Sequence, residues 1–581
     1  MYDEYAQRLI ELIPDLPEID RDACRRALSA AYFHVICSKL AIGQDDISKQ
    51  DLEEIQLLLR GMGDALESIA VFDRLNGLNR PADVENASAF VAAEALFLLA
   101  ALSVDVEEPS VEDPLLKTSN YVAIESALLY MIGGYDINAV SIARDLEVPA
   151  VGLEGAEGID GGRLVNAAYV LSRIVAFCCG EVRRPRQNVP LIRLPHVGRG
   201  PTDYELLLDE IRIRFYKRVG DALDAYLDWL GGYRSDGYEN SIRILESVRN
   251  VSLASGYPGY TAFADIYHLS SLLLVVIDRT SRRSLIYNIP RPTDGDAEVI
   301  QDFVAYLRHR ARGDKTHVGR PFLWPSTLEY VSDCLPGPNK DAVVAMPTGS
   351  GKSFVAELAT AHALCSGWVL YLAPTNALAH QIHRDLAHAL QPFQKVKVRP
   401  FVGWEEYTTL TEEQIDLAER HFVAVMTPEK CALAMRLYPE RFTNCSLCVF
   451  DECHLLNDQQ RGVTADILLA QLSMVAPNIR FVLMSAMVSN PKELAEWLSS
   501  AHDGRAAPKT VRWRPSRTMR GLLFLDQNAL DANFQPAKTE LEQLPERRVK
   551  VKFNVPMALI AGLSGPWTMA GPPDYREYPF R

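Results

Sequence analysis

The sequence predicts an α/β domain, built on a parallel sheet with crossover helices, that follows a large all-α N-terminal region. Three observations support this prediction. Apolar residues recur three or four positions apart across residues 1–145, which is typical of amphipathic helices. From residue 341 onward, short apolar runs alternate with helical stretches, as in parallel sheets buried on both faces. With 581 residues, the chain is also long enough for several domains.

Composition is typical of soluble globular proteins. Apolar residues make up 48% and charged residues 23% of the chain, which argues against a disordered or coiled-coil protein. The longest apolar stretch, 91–104, contains Glu94 and is shorter than the ~20 residues that cross a bilayer. Residues 1–10 show no secretory signal. We therefore expect a cytoplasmic protein without a membrane span.

Charge is distributed unevenly along the chain. The net charge is −15, and residues 1–150 alone carry −16, whereas residues 301–581 carry +2. An acidic region repels phosphate backbones. Residues 1–150 therefore favour a protein contact or a solvated exterior over a nucleic-acid surface.

Glycines, prolines and arginines indicate the connections. Five glycines within 150–163 predict a linker, and a helix is expected at 164–179. Arginines and prolines concentrate at 180–203 and predict an extended basic loop, which could contact phosphates or simply neutralise nearby acidic helices. Helical patterns resume over 204–283, and a new pattern begins near residue 297.

Six apolar runs predict the strands of the sheet: D-A-V-V-A-M, W-V-L-Y-L-A, V-K-V-R-P-F-V, F-V-A-V-M, S-L-C-V-F-D and I-R-F-V-L-M. Cys445 and Cys448 have C-x-x-C spacing, but side chains three apart in a strand point to opposite faces. A zinc or redox site there is therefore disfavoured. The ten cysteines are also too sparse for a disulfide scaffold.

A glycine-rich segment joins the first predicted strand to a helical stretch. It reads M-P-T-G-S-G-K-S over residues 346–353, close to a P-loop. A strand, a glycine turn and a helix N-terminus place backbone N–H groups around phosphate oxygens. Lys352 would reach the outer phosphates and the Ser353 hydroxyl would ligate Mg²⁺. The predicted ATP-binding residues are Pro347, Thr348, Gly349, Ser350, Gly351, Lys352 and Ser353.

Two adjacent carboxylates follow a later strand, in L-C-V-F-D-E-C-H at 447–454. Asp451 would hold Mg²⁺, and Glu452 would orient or deprotonate the water that attacks the γ-phosphate. Acidic residues at strand ends are often helix caps. Their combination with the P-loop lysine favours catalysis, so we expect Lys352, Asp451 and Glu452 to be the catalytic residues.

Together these segments resemble superfamily 2 helicases of the superkiller-like DExH branch. Motifs I and II are the two segments above. Motifs Ia, Ib and III resemble A-P-T-N-A-L-A-H-Q at 373–381, T-P-E-K at 427–430 and S-A-M at 485–487. The branch is indicated by R-G at 461–462 and W-R-P-S-R at 513–517. The resemblance covers about 300–520.

This resemblance implies a RecA-like motor domain that uses ATP and Mg²⁺. It implies that Thr375 and Thr427 contact a nucleic-acid strand, and that His454 and Ser485 couple hydrolysis to strand movement.

Three positions depart from the pattern of the family. Thr327 stands where a glutamine often reads the adenine edge, and Asn376 stands where an arginine commonly meets a phosphate. Met487 replaces the usual threonine of motif III.

The charge and residue patterns before residue 297, together with the resemblance after it, divide the chain into four expected parts. Residues 1–150 form an acidic helical domain, 151–296 a linker, basic loop and second helical region, and 297–515 the first motor domain. Residues 516–581 are expected to be a post-motor linker, with the second motor domain absent. Because that domain supplies an arginine finger, hydrolysis should fall by ~10³ or more. Truncation or complementation by another chain would each account for the absence.

Two functions of different classes fit these features. The first is an ATP-dependent helicase or translocase on single-stranded or tailed duplex nucleic acid, with DNA favoured. The long helical extension resembles bacterial defence helicases, including the helicase subunit of Hachiman-type antiphage systems, and implies a nuclease partner at the N-terminal helices. The second function is a sensor or regulatory subunit that binds ATP and nucleic acid without unwinding. A P-loop kinase or transporter is disfavoured because D-E-C-H and S-A-M stand at helicase spacing.

Overall fold

A computed structural model describes most of the chain. The described residues are 4–16, 21–39, 49–102, 113–115, 117–149, 158–184, 204–254, 262–315, 317–335, 340–401, 421–486, 488, 490–501, 506–511, 513, 521–523, 527–543, 557–562 and 574–578.

The region before residue 290 is helical in its described parts, as predicted. Its helices are α1 (Glu4–Leu12), α2 (Arg21–Lys39), α3 (Lys49–Glu67), α4 (Asp73–Leu75), α5 (Ala82–Leu102), α6 (Thr118–Gly133), α7 (Asp136–Asp145), α8 (Gly158–Cys179), α9 (Tyr204–Leu230), α10 (Gly237–Ala254), α11 (Ala264–Ser281) and α12 (Leu285–Asn288). A π-helical turn, Ser68–Phe72, joins α3 to α4. Helix α8 begins at Gly158, so the predicted linker at 150–163 is wrong in its last six positions.

The following region alternates helices with strands. Its helices are α13 (Ala297–Arg312), α14 (Pro325–Cys334), α15 (Lys352–Ala363), α16 (Asn376–Ala389), α17 (Pro428–Leu437), α18 (Arg461–Val475) and α19 (Pro491–Ala501). Its strands are β1 (Asp341–Ala345), β2 (Trp368–Leu372), β3 (Lys397–Phe401), β4 (Phe422–Met426), β5 (Cys445–Asp451), β6 (Arg480–Ser485) and β7 (Ala506–Thr510). Short 3₁₀ turns lie at Pro439–Phe442 and Cys453–Asn457.

The seven strands form one parallel sheet in the order β3-β4-β2-β5-β6-β1-β7. The predicted RecA-like α/β fold behind a large helical region is therefore confirmed. Strand β7 was not predicted, because A-A-P-K-T has little apolar content, and a proline is tolerated at a sheet edge. At the opposite edge, β3 is partly exposed, so the prediction that every strand is buried on both faces fails there.

Alternation along the inner strands separates two hydrophobic cores. In β4, Val423 and Val425 join a core that also contains the helices of the N-terminal region. Phe422, Ala424 and Met426 point the other way, toward α17 and α18. One face of the sheet therefore shares its core with the helical region.

A bulge in β5 corrects the prediction for the two cysteines. Trp368 pairs with Cys445 but Val369 pairs with Leu447, so the register shifts at Ser446. The shift places Cys445 and Cys448 in the same buried core instead of on opposite faces. The nine cysteines whose side chains the structure describes are free and buried, as expected for reduced thiols.

Residues 521–578 contain secondary structure inside the expected linker. Strands β8 (Gly521–Leu523), β9 (Met557–Gly562) and β10 (Asp574–Tyr578) form an antiparallel sheet in the order β10-β9-β8. Helix α20 (Gln527–Gln543) lies between β8 and β9 in sequence.

Two helices are long and apolar enough to cross a membrane by length and composition, α5 and the part of α8 from Gly161. Their most apolar windows are 72% and 78% buried inside the protein. That burial favours core helices of the helical region over membrane spans.

A buried ion pair joins the helical region to the segment that precedes the sheet. Arg283 donates to both carboxylate oxygens of Asp136 at 2.9 Å and to the carbonyl of Met131. The backbone N–H of Leu323 donates to the Arg283 carbonyl at 2.7 Å. Both charged side chains are less than 10% exposed, so one arginine fixes α6, α7 and the approach to α14.

We expect Asp136→Ala to lower the free energy of unfolding by about 3–5 kcal/mol, because the change leaves a buried guanidinium without its counter-ion. Urea unfolding monitored by circular dichroism measures this loss. Arg234→Ala is the matched control, since it removes the exposed Arg234–Asp236 pair and should leave the midpoint nearly unchanged. Equal losses in the two variants would contradict the role of burial.

Candidate active site

The glycine-rich loop leaves the end of β1 and enters the N-terminus of α15. Gly349 and Gly351 have φ values of 82° and 99°, in the left-handed region that favours glycine. A Cβ at Gly349 would meet nothing within 4 Å, so the loop opens onto free space there. Lys352 is the first residue of the helix, and Ser353 is exposed beside it. The loop therefore presents helical N–H groups and a lysine to an anion.

The remaining loop residues divide between exposed and buried positions. Thr348 is exposed, and Pro347 is half-buried. Ser350 is fully buried, and its hydroxyl donates to the Pro347 carbonyl at 2.6 Å. The backbone N–H of Ser350 donates to the same carbonyl at 3.3 Å, so Ser350 shapes the loop from within.

Helix α14 supports the loop from behind. The Ser326 hydroxyl donates to the Ser350 carbonyl at 2.5 Å. Thr327 is 1% exposed, and its hydroxyl lies 3.6 Å from the position of a Cβ on Gly351. Trp324 packs against the same position at 3.2 Å. Because Thr327 is buried under the loop, its hydroxyl is not exposed to read an adenine edge.

The two carboxylates of D-E-C-H lie at the end of β5. Asp451 is the last residue of the strand, and Glu452 has φ 51° and ψ 49°. Among the described residues, Glu452 is the only residue other than glycine with a positive φ. The Glu452 N–H donates to Asp451 Oδ1 at 2.9 Å. The chain turns sharply here, and the left-handed turn, rather than strand alternation, separates the two side chains.

The carboxylates face the P-loop lysine across the end of the sheet. Lys352 Nζ lies 3.9 Å from Glu452 Oε1. Burial, and then the neighbouring Glu452, raise the pKa of Asp451, while Lys352 and a hydrogen bond from Tyr371 lower it. Raising a carboxyl pKa means that its negative charge is poorly compensated, a condition that a bound cation would relieve.

The donor set suits Mg²⁺. Asp451 offers a carboxylate and Ser353 an exposed hydroxyl, and hard cations of this kind take oxygen ligands. Both residues stand on the side of the sheet where Lys352 and Glu452 meet, so the residues predicted to hold the ion fit it.

Ser485 and His454 complete the arrangement. Ser485, at the end of β6, donates to Glu452 Oε2 at 3.1 Å. His454 Nδ1 lies 3.1 Å from both the Ser485 hydroxyl and Glu452 Oε2. The structure thus brings motif III into contact with the proposed base, while Met487 lies outside the described residues.

The predicted strand contacts lie at two neighbouring helix N-termini. Thr375 is exposed and caps α16 after β2 by accepting from Leu378 N at 3.3 Å. Thr427 precedes α17 after β4, but its side chain is 7% exposed. Asn376 is exposed at the first turn of α16. Thr375 and Asn376 are therefore open to solvent at this edge of the sheet, whereas Thr427 is buried.

Arg461 is a positioning residue whose role sequence reasoning missed. Its guanidinium donates to Glu429 at 2.6 Å and to the Pro374 carbonyl at 2.7 Å, so it ties motif Ia to motif Ib. A Cβ at the adjacent Gly462 would lie 2.4 Å from the Leu456 carbonyl. The conspicuous R-G pair was the only sequence signal. Most of the predicted basic loop at 180–203 lies outside the described residues.

Comparisons with known proteins agree with this geometry. The DEAD/DEAH box helicase family matches residues 325–494. The ATP-dependent DNA helicase Hel308 of Methanocella arvoryzae is 29% identical over 211 residues, 36% of this chain and 27% of the relative. The Hachiman protein HamB of Bacillus cereus is 29% identical over 211 residues, 35% of this chain and 18% of the relative. The chain therefore spans about a quarter or less of the length of these relatives.

A similar structure is the Mycobacterium smegmatis helicase Lhr bound to ssDNA and AMP-PNP. It is 23% identical, with a TM-score of 0.31, and the match covers 43% of this chain and 32% of that chain. Residues 325–494 of this protein are a DEAD/DEAH-box helicase domain of superfamily 2.

Proposed function

We propose that this chain is an ATP-dependent nucleic-acid helicase or translocase motor of the DExH type. The observation that carries the proposal is the convergence of Lys352, Glu452, Ser485 and His454 at one edge of the sheet. A P-loop lysine and a general base can hydrolyse ATP, and a motif III bonded to that base can couple hydrolysis to movement of the nucleic-acid strand.

The residues divide the work of hydrolysis. Loop N–H groups and Lys352 bind the phosphates, and Ser353 and Asp451 would hold Mg²⁺, which would supply positive charge beside the phosphates. Glu452 accepts a proton from the attacking water. Its left-handed backbone aims the carboxylate toward Lys352, and Ser485 and His454 hold it there. Completing the charge neutralisation requires an arginine finger from another domain or chain.

The proposed strand surface is the row of helix N-termini after β2 and β4. Helix N-termini carry partial positive charge and bind phosphate oxygens. Such contacts carry no base information, so we expect sequence-tolerant loading onto single strands or tailed duplexes. We favour DNA because relatives matched over this region include ATP-dependent DNA helicases.

We place this motor in the cytoplasm, in nucleic-acid processing or phage defence. The match to the Hachiman protein HamB supports a defence role. The charge of −16 over residues 1–150 disfavours DNA and supports a protein partner at this face, such as a nuclease. Membrane contact forms no part of the proposal.

We expect Lys352→Ala to weaken ATP affinity by about 10- to 100-fold, since one charge-assisted hydrogen bond to phosphate contributes about 1.5–3 kcal/mol. Calorimetric titration with ATP measures the loss, and an unchanged circular dichroism spectrum checks the fold. The control is Lys395→Ala, an exposed lysine paired with Glu298. Unchanged affinity in Lys352→Ala would refute phosphate binding by this loop.

Glu452→Gln should retain MgATP binding and slow hydrolysis by about 10²–10⁴-fold, because the amide cannot accept the proton from water. Single-turnover hydrolysis of labelled ATP, which detects slow reactions, gives the rate. Glu493→Gln, on the exposed face of α19, is the control. A rate near that of the unmodified chain would mean that another group activates the water.

Ser485→Ala should leave ATP affinity intact and remove most of the stimulation of hydrolysis by single-stranded DNA, because Glu452 loses its hydrogen bond from β6. The ratio of hydrolysis rates with and without DNA measures this coupling. Ser473→Ala, on the exposed face of α18, serves as the control. A stimulation ratio equal to that of the control would remove Ser485 from the coupling path.

A further inference from the structure

A second cluster of ligating side chains lies outside the ATP site. Asp314 and His317 stand on the connection between α13 and α14, and His388 stands near the end of α16. One ligand atom from each residue lies within 4.8 Å of the other two. The side chains of Asp314 and His388 are 26% and 29% exposed, and that of His317 is 53% exposed. Two imidazoles and one carboxylate thus converge at a partly shielded surface.

Each histidine of this cluster lies about as far from an oxygen of Asp314 as two ligands of one metal ion lie from each other. His388 Nε2 lies 3.2 Å from Asp314 Oδ2, and His317 Nδ1 lies 3.5 Å from Asp314 Oδ1. Ligands about 2.0–2.1 Å from a tetrahedral Zn²⁺ are separated from each other by roughly 3.3 Å. The two histidine rings also stand close, with centroids 4.1 Å apart.

Nε2 of His388 makes no hydrogen bond with any described residue. His388 Nε2 is buried and makes no hydrogen bond, although Asp314 is 3.2 Å away. This geometry is expected when His388 Nε2 and the Asp314 carboxylate both point at an ion between them, because the nitrogen then does not point at the carboxylate oxygen. Leaving a buried polar atom without a hydrogen bond costs free energy, and a metal ion would satisfy it.

We propose that Asp314, His317 and His388 bind one Zn²⁺ ion. Imidazole nitrogen and carboxylate oxygen are common zinc ligands, and zinc accepts either ring nitrogen of histidine. A fourth position remains for water or for His309, whose ring centroid lies 6.4 Å from that of His388.

A competing cluster in the helical region is explained without a metal. Glu67, Glu125 and His268 also lie within 4.8 Å of one another. There, His268 Nε2 lies 2.6 Å from Glu67, and Nδ1 lies 2.8 Å from the Tyr121 hydroxyl. Both ring nitrogens of His268 are therefore already hydrogen-bonded, unlike Nε2 of His388.

The position of the proposed ion suggests what it does. It would tie the connection after α13, which leads to Trp324 and Ser326 beneath the P-loop, to helix α16, whose other end carries Thr375. Zinc would thus hold the strand-facing helix against the segment that supports the nucleotide. This consequence rests on the proposed function, whereas zinc binding itself does not.

Calorimetric titration of the chelator-treated full chain with ZnCl₂, without ATP or DNA, tests the site. We expect one Zn²⁺ per chain and at least a tenfold weaker affinity in His388→Ala and in His317→Ala. Co²⁺ substitution should give visible absorption that the same variants lose. Both residues are partly exposed, and unchanged circular dichroism checks that the variants fold.

Two control variants determine where a bound ion sits. His383→Ala changes another histidine of α16 and should bind zinc like the unmodified chain. His268→Gln changes the competing cluster and should also bind normally. The proposal is overturned if the chain takes up no stoichiometric zinc, if His388→Ala and His317→Ala bind like His383→Ala, or if only His268→Gln loses the ion.

Discussion

The parallel adjacency of β5, β6 and β1 is the constraint on which the candidate site depends. The carboxyl ends of neighbouring parallel strands meet at one edge of a sheet, and here they deliver Asp451, Ser485 and the P-loop to that edge. Lys352 and Glu452, 100 positions apart in sequence, therefore come within ion-pair distance, and Ser485, 33 positions after Glu452, comes within hydrogen-bonding distance of it. The next pair of strands, β2 and β4, brings the N-termini of α16 and α17 to the same edge. The candidate nucleotide site and the proposed strand surface are thus consecutive portions of one sheet edge.

Burial keeps this edge in place. The inner strands alternate between two cores, and one of these cores extends without a break from Leu9 in α1 to Trp513 beyond β7. Helices of the N-terminal region are therefore part of the packing that supports the sheet. The Arg283–Asp136 pair lies at this junction, where a buried charge needs its partner. A partner bound to the acidic helices would thus act on elements that share a core with the motor.

Much of this arrangement could be predicted from the sequence, because it depends on local patterns. Buried parallel strands are continuous apolar runs, and six of them stand out between residues 341 and 484. The P-loop and D-E-C-H are likewise local. The features that the sequence could not reveal depend on register and tertiary contact. The bulge at Ser446 turns the Cys445 side chain to the other face of the sheet, and the edge strand β7 has little apolar content. The bonds from Arg461 to Pro374 and Glu429 join segments that are distant in sequence. The burial of Thr327 beneath the P-loop likewise depends on packing that the sequence does not show.

The conformation of Glu452 links this geometry to mechanism. A non-glycine residue in the left-handed region costs about 1–3 kcal/mol and persists only where its surroundings impose it. Here Asp451 Oδ1 accepts the Glu452 N–H, and Ser485 donates to its carboxylate. Ser485 belongs to the end of β6, next to the strand that carries the P-loop. A displacement of β6 by a bound nucleic-acid strand would therefore change the direction of the strained Glu452 carboxylate. The position of the proposed base would then depend on what binds along the sheet edge.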